Sequence, residues 1–382
     1  MCPGVIVCET RSRSAAVSRF VNRPLAAIIT DALIAITRKI IHFSLAIANH
    51  ENPSTPVNSL EKQFLQQLRE HRLVTDGDHV LVAVSGGPDS IALLHLLHAV
   101  APVVSCRVSA AHCNFRLRGR ESDNDEQFVV SRCAEMGIEC FHKGFDTADL
   151  SALLKLSIEE CARKLRYDWF AQLLAEHGMT KIVTGHHVSD NAETMLFNLF
   201  RGTSLLGLKG IRAMNGRVIR PLLLFRKADI LAYLHEKRIA YRSDASNFET
   251  DYDRNFIRNR VIPLIEERFR HKLLPSLQRL SEQAGELEEF LEGYFERLCD
   301  ASPGLSLREG RLDAGELRKL SIFEQKELFR RALQEYGEAT DAAMLQRLVR
   351  LLGTQPGRRI VVSRRLVVEW RDGQLHFRQT RT

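Results

Sequence analysis

Short apolar runs alternate with segments of helical hydrophobic spacing over residues 59–270. HVLVAV, at 79–84, is a valine-rich run typical of a strand that is buried on both faces. The pattern predicts further strands at 107–113, 138–144 and 181–187. It predicts helices at 59–73, 90–100, 121–137, 157–178 and 190–202, with Ser122 capping the third of them. Strands that alternate with helices favour a doubly wound α/β fold, in which a parallel sheet carries helices on both faces.

The pattern changes after about residue 270. Helical spacing predicts helices at 276–298 and 322–337. Within 358–379, two β-rich runs flank Asp372-Gly373, a dipeptide that favours a two-residue hairpin turn. We therefore expect an α/β domain at 59–270 and, at 271–382, a helical region followed by a C-terminal β-hairpin segment.

Residues 1–58 stand apart from this organisation. Their apolar stretch at 24–48 is interrupted by Asp31, Arg38 and Lys39, so no run of eighteen apolar residues is available to span a membrane. The stretch is compatible with an amphipathic helix, and its arginine-rich, acid-poor start resembles a transit peptide. We favour a plain N-terminal extension, either disordered or the result of a start codon assigned too early, with a linker at 51–59.

Composition narrows the class of protein without identifying a partner. The 382 residues are 45% hydrophobic and 26% charged, which indicates a soluble, globular protein of two domains. The net charge of +7 is compatible with nucleic acid, although residues 1–58, with six basic and three acidic side chains, hold nearly half of the excess. The eight cysteines form no Cys-x-x-Cys and follow no signal peptide, so we expect free thiols in a reducing cytoplasm.

The stretch SGGPDS, at 85–90, places small and polar residues where a predicted strand ends and a helix begins. Ligands of open α/β sheets bind at this edge. Gly86 and Gly87 allow the backbone to approach a ligand closely, and the N–H groups at a helix start bind anions. A phosphate would repel Asp89 unless a cation such as Mg²⁺ lay between them. The alternative is an ordinary tight turn between strand and helix.

This loop is not the common nucleotide loop, because Gly-x-x-x-x-Gly-Lys-Ser/Thr and Gly-x-Gly-x-x-Gly are both absent. Ser-Gly-Gly-x-Asp-Ser instead resembles the PP-loop ATPases, which are adenine nucleotide alpha hydrolase-like proteins that split ATP between its α and β phosphates. The resemblance implies Mg²⁺ held by Asp89 through the phosphates. It implies ATP binding by Ser85, Gly86, Gly87, Pro88, Asp89, Ser90, His112 and Asn114. For His112, a satisfied core histidine is the alternative.

Further stretches resemble the tRNA(Ile)-lysidine synthetase family, in the right order along residues 59–270. They include HCNFRLRGRESDNDEQFV at 112–129, SIEECARKLRYDWF at 157–170, TGHHVSDNAETMLFNLFRGTSLLGLKGI at 184–211, IRPLLLFRKADI at 219–230 and YRSDASNFETDYDRNFIRNRVIPLI at 241–265. The part beyond 270 resembles the family's appended region more loosely. Phe115 is a departure, since many members carry a histidine after the asparagine, and it weakens any role for that position.

Members of that family are ligases that use ATP and free L-lysine to convert the wobble cytidine of the CAU anticodon of tRNA(Ile) into lysidine. ATP adenylates the C2 oxygen of the base, the lysine amine then attacks C2, and AMP and pyrophosphate are released. The modified tRNA reads AUA. The resemblance implies this activity here, with a PP-loop ATPase catalytic domain at 59–270 and a tRNA-binding region at 271–382. It also implies a homodimer in the cytoplasm, away from the membrane.

Asp190 and Glu193 are three residues apart at the start of a predicted helix and therefore share a face. Such a pair suits the ammonium of lysine or a Mg²⁺ ion; a solvated first turn is the alternative. The resemblance implies lysine binding by both carboxylates and by His186, and a fork contact from Arg166 to the lysine carboxylate. It favours Arg166 over Arg163, with a surface ion pair as the alternative. The implied catalytic residues are Asp89, Arg166, Asp190 and Glu193.

The stretch RNFIRNR interleaves arginines with Phe256, a combination that suits RNA by phosphate contact and base stacking. A solvated helix face is the usual alternative for such a stretch. The resemblance favours tRNA contact or cleft closure, with Arg258 nearest the chemistry. The candidate tRNA-binding residues are Arg201, Arg254, Asn255 and Arg258.

Two rival functions remain open at this point. A tRNA thiolase of the same superfamily is the rival enzyme, and it is disfavoured because some thiolases rely on paired cysteines. A catalytically silent ATP- or RNA-binding protein is the rival from another class. The intact loop with Asp89 and the Asp190/Glu193 pair argue against it.

Overall fold

The computed structural model describes residues 59–242 and 252–380 of the chain. Our expectation for residues 1–58 therefore lies outside the described residues. Within the described ranges, no helix is both long enough and apolar enough to cross a lipid bilayer.

A six-stranded sheet lies at the centre of the α/β part. Its strands are β1 (His79–Ala83), β2 (Arg107–Asn114), β3 (Cys140–Gly144), β4 (Lys181–Val183), β5 (Met214–Asn215) and β6 (Val218–Ile219). Their order is β3-β2-β1-β4-β6-β5, and all neighbours are parallel except β5 and β6. The chain runs outward from β1 to β3 and then continues on the other side of β1 with β4. The topological switch point of the sheet therefore lies between β1 and β4.

Helices cover both faces of this sheet. They are α1 (Ser59–Glu70), α2 (Pro88–Val100), α3 (Arg120–Glu135), α4 (Thr147–Leu154), α5 (Ile158–Glu176), α6 (Val188–Phe200) and α7 (Lys227–Glu236). Side chains alternate along β1, so Val80 and Val82 enter one core with Phe64 of α1 and Leu94 of α2. Leu81 enters a second core, which contains the aromatic side chains of α5. The predicted doubly wound fold is confirmed.

Three local predictions for this part were wrong. The fourth strand ends at Val183, because Thr184 to His187 turn out of the sheet to begin α6. Strands β5 and β6 were missed, since runs of two residues are too short to show a period. Ser122 does not cap α3: Gly119 holds the N-cap position, and Ser122 lies in the first turn, where its Oγ accepts the Arg118 N–H at 3.2 Å.

A helical segment, interrupted by a turn at 269–272, leads from the α/β part to the C-terminal part. It comprises α8 (Tyr252–Phe256), a π-helical turn (Ile257–Val261), α9 (Ile262–Arg268) and the 29-residue α10 (Leu273–Ala301). Ile257 and Ile262 pack with Ala192 and Leu196 of α6. The π-helical turn is thereby held against the helix that carries Asp190 and Glu193.

The C-terminal part combines helices with a second sheet. Its further helices are α11 (Ala314–Arg318), α12 (Ile322–Glu335) and α13 (Ala342–Leu352), and its strands are β7 (Arg311–Asp313), β8 (Arg359–Val361), β9 (Leu366–Arg371) and β10 (Gln374–Gln379). The antiparallel order is β7-β10-β9-β8. Asp372 and Gly373 join β9 to β10 with φ values of +52° and +76°, as a type I′ turn requires. The hairpin prediction is confirmed, and the sheet around it is larger than predicted.

We predict that Leu94→Ala in α2 lowers the free energy of unfolding by about 2–5 kcal/mol, because Leu94 is fully buried between helix and sheet and the substitution leaves a cavity. Urea unfolding followed by circular dichroism measures the change. Leu153→Ala in α4 is the matched control, since Leu153 is 76% exposed and its loss should change stability by less than about 0.5 kcal/mol. Equal effects of the two substitutions would contradict the assignment of the core.

Candidate active site

The stretch SGGPDS forms a tight turn from β1 into α2. Gly86 has a φ of +94°, which side-chain-bearing residues rarely adopt. Ser90 Oγ accepts the Ser85 N–H at 3.1 Å and donates to the Gly87 carbonyl at 3.0 Å. Gly87 caps α2 and Pro88 begins it, as suits a proline. The Ser90 hydroxyl therefore shapes the turn, while Ser85 and the helix start line a cavity.

The loop after β4 comes directly against this turn. A Cβ atom on Gly185 would lie 3.2 Å from the backbone carbonyl of Asp89. Glycine thus permits a closer approach than a side chain would allow. Because the two loops belong to the strands on either side of the switch point, the residues of SGGPDS and of TGHH, Thr184–His187, share one cleft.

Asp89 is held by a lysine from a distant part of the chain. Lys227, the first residue of α7, places its Nζ 2.6 Å from both carboxylate oxygens. The Nε2 atom of His187 lies 3.8 Å from Asp89 Oδ1. In this structure the cationic partner of Asp89 is therefore a lysine of the protein itself.

Two adjoining cavities open at this edge of the sheet and share Arg163, His186 and Asp190. The first, of about 520 Å³, is lined by SGGPDS, the ends of β1 and β2, and α5. The second, of about 590 Å³, is lined by α5, α6, Arg220 and the π-helical turn. Both volumes are in the range of small-molecule sites. We name them the loop cavity and the carboxylate cavity.

Arg258 joins the two carboxylates of α6. Its Nε and Nη2 atoms donate to the two oxygens of Glu193 at 2.6 and 2.8 Å, and Nη2 also reaches Asp190 Oδ1 at 3.2 Å. The other Asp190 oxygen accepts the His187 N–H at 2.8 Å and so caps the helix. Burial raises the pKa of Glu193, which is 5% exposed, and the Arg258 contact opposes that rise. The carboxylate pair therefore binds a cationic group of the protein itself, the guanidinium of Arg258.

His186 lines both cavities, and its Nδ1 lies 2.9 Å from Thr184 Oγ1. Burial lowers the pKa of His186 to about 4, and the nearby Arg220, Arg163 and Arg166 lower it further, against the opposing effect of Asp190. The imidazole is thus neutral at pH 7 and can accept or donate a hydrogen bond without adding charge.

The remaining predicted ATP and lysine residues differ in their exposure to the cleft. Arg166 lines the loop cavity, with its guanidinium 5.3 Å from the centre of the Phe115 ring. His112 is 4% exposed, and its Nδ1 lies 2.8 Å from the Val84 carbonyl, which fits the core-histidine alternative. Asn114 donates to Asp123 and Glu126 and accepts the Arg116 N–H, so it orders the loop after β2.

The predicted tRNA residues separate into two groups. Arg201 and Arg254 place their guanidinium groups 5.1 and 5.2 Å from the centre of the Phe197 ring, at the outer part of α6. Asn255 and Arg258 line the carboxylate cavity, which Arg254 also reaches. Because Arg258 pairs with buried carboxylates, its geometry is that of a cleft residue rather than of an exposed RNA contact.

Asn191 connects the carboxylate helix to α10. Its Oδ1 accepts the Ile211 N–H at 2.7 Å, and its Nδ2 donates to Ser281 Oγ at 3.3 Å. Ser281 in turn donates to the Lys209 carbonyl at 2.5 Å, and both Lys209 and Arg212 pair with Glu288 of α10. The loop at 209–212 is therefore clamped between α6 and the long C-terminal helix. The position of Asp190 and Glu193 depends on this clamp.

Several cleft residues were not singled out from the sequence. Lys227, Arg220 and Tyr241 line the cavities, and Arg242 donates its N–H to the Gly86 carbonyl at 2.9 Å. Lys227 and Arg220 belong to IRPLLLFRKADI, a stretch that carried the family resemblance. Their position within a stretch that resembles the family could have marked them as candidate site residues. No sequence rule, however, pairs Lys227 with Asp89, which lies 138 residues away.

Comparisons with known proteins agree on one family. Residues 56–265 match the PP-loop domain family. The chain is 55% identical over 324 residues to tRNA(Ile)-lysidine synthase from Chlorobaculum tepidum, covering 85% of this chain and 98% of that protein. It is 38% identical over 257 residues to tRNA(Ile)-lysidine synthase from Bacteroides thetaiotaomicron, covering 67% of this chain but only 58% of that longer protein.

Among solved structures, the U34-tRNA thiolase NcsA from Methanococcus maripaludis, with its [4Fe-4S] cluster, is similar at a TM-score of 0.49. The sequences are 19% identical, and the match covers 58% of this chain and 77% of that one. A likeness of this size supports no inference about the function of this chain.

We predict that His186→Gln flattens the pH dependence of stability between pH 6.5 and about 4. The pKa of His186 is lowered in the folded state, so the unfolded state binds the extra proton in this window and stability falls as the pH falls. Replacing the histidine should reduce that slope by at most about 1.4 kcal/mol per pH unit. The reduction should be smaller than this maximum because His186 is partly exposed to solvent. Urea unfolding at several pH values measures it, and an unchanged slope would contradict the shifted pKa.

We predict that Gly210→Ala destabilises the clamp. A Cβ there would lie 2.1 Å from Asn191 Oδ1 and 2.7 Å from Met195 Cγ. Gly216→Ala is the matched control, because Gly216 also has a positive φ but a Cβ on it would meet nothing within 4 Å. Thermal unfolding should show Gly210→Ala to be worse than the control by about 1–3 kcal/mol. Equal losses would show that only the backbone conformation matters.

Proposed function

The chain belongs to the tRNA(Ile)-lysidine synthase family of ligases, and on this premise we propose that it joins free L-lysine to the wobble cytidine of a CAU-anticodon tRNA(Ile) at the expense of ATP. The observation that carries the proposal is the pairing of two cavities at one switch point. One cavity carries the SGGPDS loop, and the other carries a buried carboxylate pair already binding a guanidinium. A nucleotide and a cationic amine would therefore meet around His186 and Asp190.

The loop cavity is the proposed ATP site. Ser85, Gly86, Gly87 and the start of α2 would receive the β and γ phosphates, where backbone N–H groups and the helix dipole favour anions. The cytidine C2 oxygen would attack the α phosphorus, forming the adenylated base and releasing pyrophosphate. Charge grows on the leaving pyrophosphate, and Lys227 lies close enough to Asp89 to be a cation for that charge.

Asp89 suits the Mg²⁺ that ATP generally brings. Magnesium is usually held by one or two carboxylates together with substrate phosphates, rather than by a cage of protein ligands. In the described ranges no group of three His, Cys, Asp or Glu side chains could hold a metal, so a site completed by phosphates is the one that fits. Bound there, Mg²⁺ would offset the negative charge of the phosphates.

The carboxylate cavity is the proposed lysine site. Asp190 and Glu193 would bind the side-chain ammonium of lysine, which would take the place of the Arg258 guanidinium. His186 lines both this cavity and the loop cavity. Arg166 is proposed to bind the lysine carboxylate through a fork contact. The attacking amine must lose a proton, and one of these carboxylates is the proposed acceptor. The amine would then attack C2 and displace AMP, which gives lysidine.

The proposed tRNA contacts are Arg201, Arg254 and Asn255 beside the cleft, together with the C-terminal part from 271 to 382. The guanidinium groups over Phe197 form a basic and aromatic surface that suits RNA. Arg258 is proposed to close the cleft once its carboxylates have taken up lysine. A homodimer is also part of the proposal, and sedimentation equilibrium would test it.

We predict that Asp190→Asn with Glu193→Gln lowers lysine incorporation into tRNA(Ile) at least about 100-fold, because the lysine ammonium loses both charged partners. Nucleoside analysis after incubation with ATP, tRNA and labelled lysine measures the product. Adenylation of the tRNA without lysine should persist, since the loop cavity is intact. The control Asp168→Asn with Glu176→Gln removes two exposed carboxylates of α5 and should leave incorporation unchanged. A wild-type protein that incorporates no lysine would refute the proposed function.

A further inference from the structure

The residues that line the carboxylate cavity carry an excess of positive charge. Its ionisable lining residues are Glu159, Asp190 and Glu193 against Arg163, Arg220, Arg254 and Arg258, with His186 neutral. Arg258 pairs with Asp190 and Glu193, and Arg254 lies 3.9 Å from Glu159. Arg163 and Arg220 therefore remain without a carboxylate partner within the described part of the chain.

Arg220 is the more telling of these two residues. It follows β6 and is 8% exposed, and burial lowers the pKa of its guanidinium. Its Nη1 donates to the Arg212 carbonyl at 2.9 Å, the Tyr167 hydroxyl is a further neighbour, and Nε has no partner. Neutral partners leave the charge uncompensated, and a buried, unpaired charge is costly. An anion bound in the cavity would remove that cost.

Arg163 extends the same positive region toward the loop cavity. It lies on α5 with its guanidinium 5.1 Å from the centre of the Tyr167 ring, and it lines both cavities. The positive charges of Arg163 and Arg220 both lower the pKa of His186, so both guanidinium groups lie near that imidazole. The cavity is thus dipolar in composition, because it presents a carboxylate pair together with two guanidinium groups that have no carboxylate partner in the described residues.

We propose that Arg220 and Arg163 bind the α-carboxylate of the amino acid substrate and select substrates that carry it. This inference rests on the proposed function, and adds two binding residues to the Arg166 contact proposed above. A zwitterionic amino acid with a side-chain ammonium matches a dipolar cavity: the ammonium binds Asp190 and Glu193, and the α-carboxylate neutralises the guanidinium pair.

The test compares lysine with cadaverine, which is lysine without its carboxylate, as substrates or as competitive inhibitors of lysine incorporation. Arg220→Gln should raise the KM for lysine by roughly 10- to 100-fold, as expected for a lost charge-assisted contact, and should leave the cadaverine constant nearly unchanged. The preference for lysine over cadaverine should therefore fall. Arg163→Gln should act in the same direction, and as an exposed residue without an ion pair it should not impair folding.

Arg217→Gln is the matched control, because Arg217 lies on the same β5–β6 hairpin, is exposed and lines neither cavity. Lysine-independent adenylation of the tRNA reports that each variant is folded. If both variants keep the wild-type preference for lysine over cadaverine, the inference is wrong, although the proposed function stands. The inference is also wrong if Arg220→Gln raises only the KM for tRNA. A wild-type protein without lysine incorporation would instead refute the proposed function.

Discussion

A buried carboxylate, Glu193, and a half-buried one, Asp190, at the start of α6 impose the constraint on which the cleft depends. Glu193 and Asp190 cannot both remain charged in a poorly hydrated site without a cation. Arg258 meets this need from a helical segment about 65 residues further along the chain. Because the guanidinium must reach them, the π-helical turn is held against α6, and the two walls of the carboxylate cavity are fixed relative to each other.

The same balance of charge extends across the cleft. Lys227 pairs with Asp89 in the loop cavity, and Arg258 pairs with Asp190 and Glu193 in the carboxylate cavity. Under the proposed function, Lys227 and Arg258 each occupy a position where a cationic group of the substrate, or its counterion, would bind. Under the proposed function, these protein cations preorganise the site, and ligand binding would exchange one ion pair for another. Arg163 and Arg220 depart from this pattern, since within the described residues neither has a carboxylate partner.

The clamp around Asn191 places the C-terminal part within this arrangement. Through Ser281 and Glu288, α10 holds the loop at 209–212, and the Arg212 carbonyl of that loop accepts from Arg220. A movement of α10 would thus reach both α6 and Arg220. The long helix is physically connected to the carboxylate cavity by hydrogen bonds and ion pairs rather than by sequence proximity.

The sequence by itself determined the doubly wound sheet, the loop at 85–90, the terminal hairpin and the carboxylate pair on one helical face, because each depends on local periodicity or on turn chemistry. It also indicated the family through motifs in order. Only the tertiary structure decided that Lys227 pairs with Asp89, that Arg258 pairs with Glu193, and that Asn114 bonds to α3. The two ion pairs join residues 138 and 65 positions apart, and no local rule encodes which cation meets which carboxylate. The Asn114 contact depends on how the loop after β2 folds back onto α3. Arg220 shows the same limit: its burial, and therefore its unpaired charge, exists only once the sheet and α5 have packed around it.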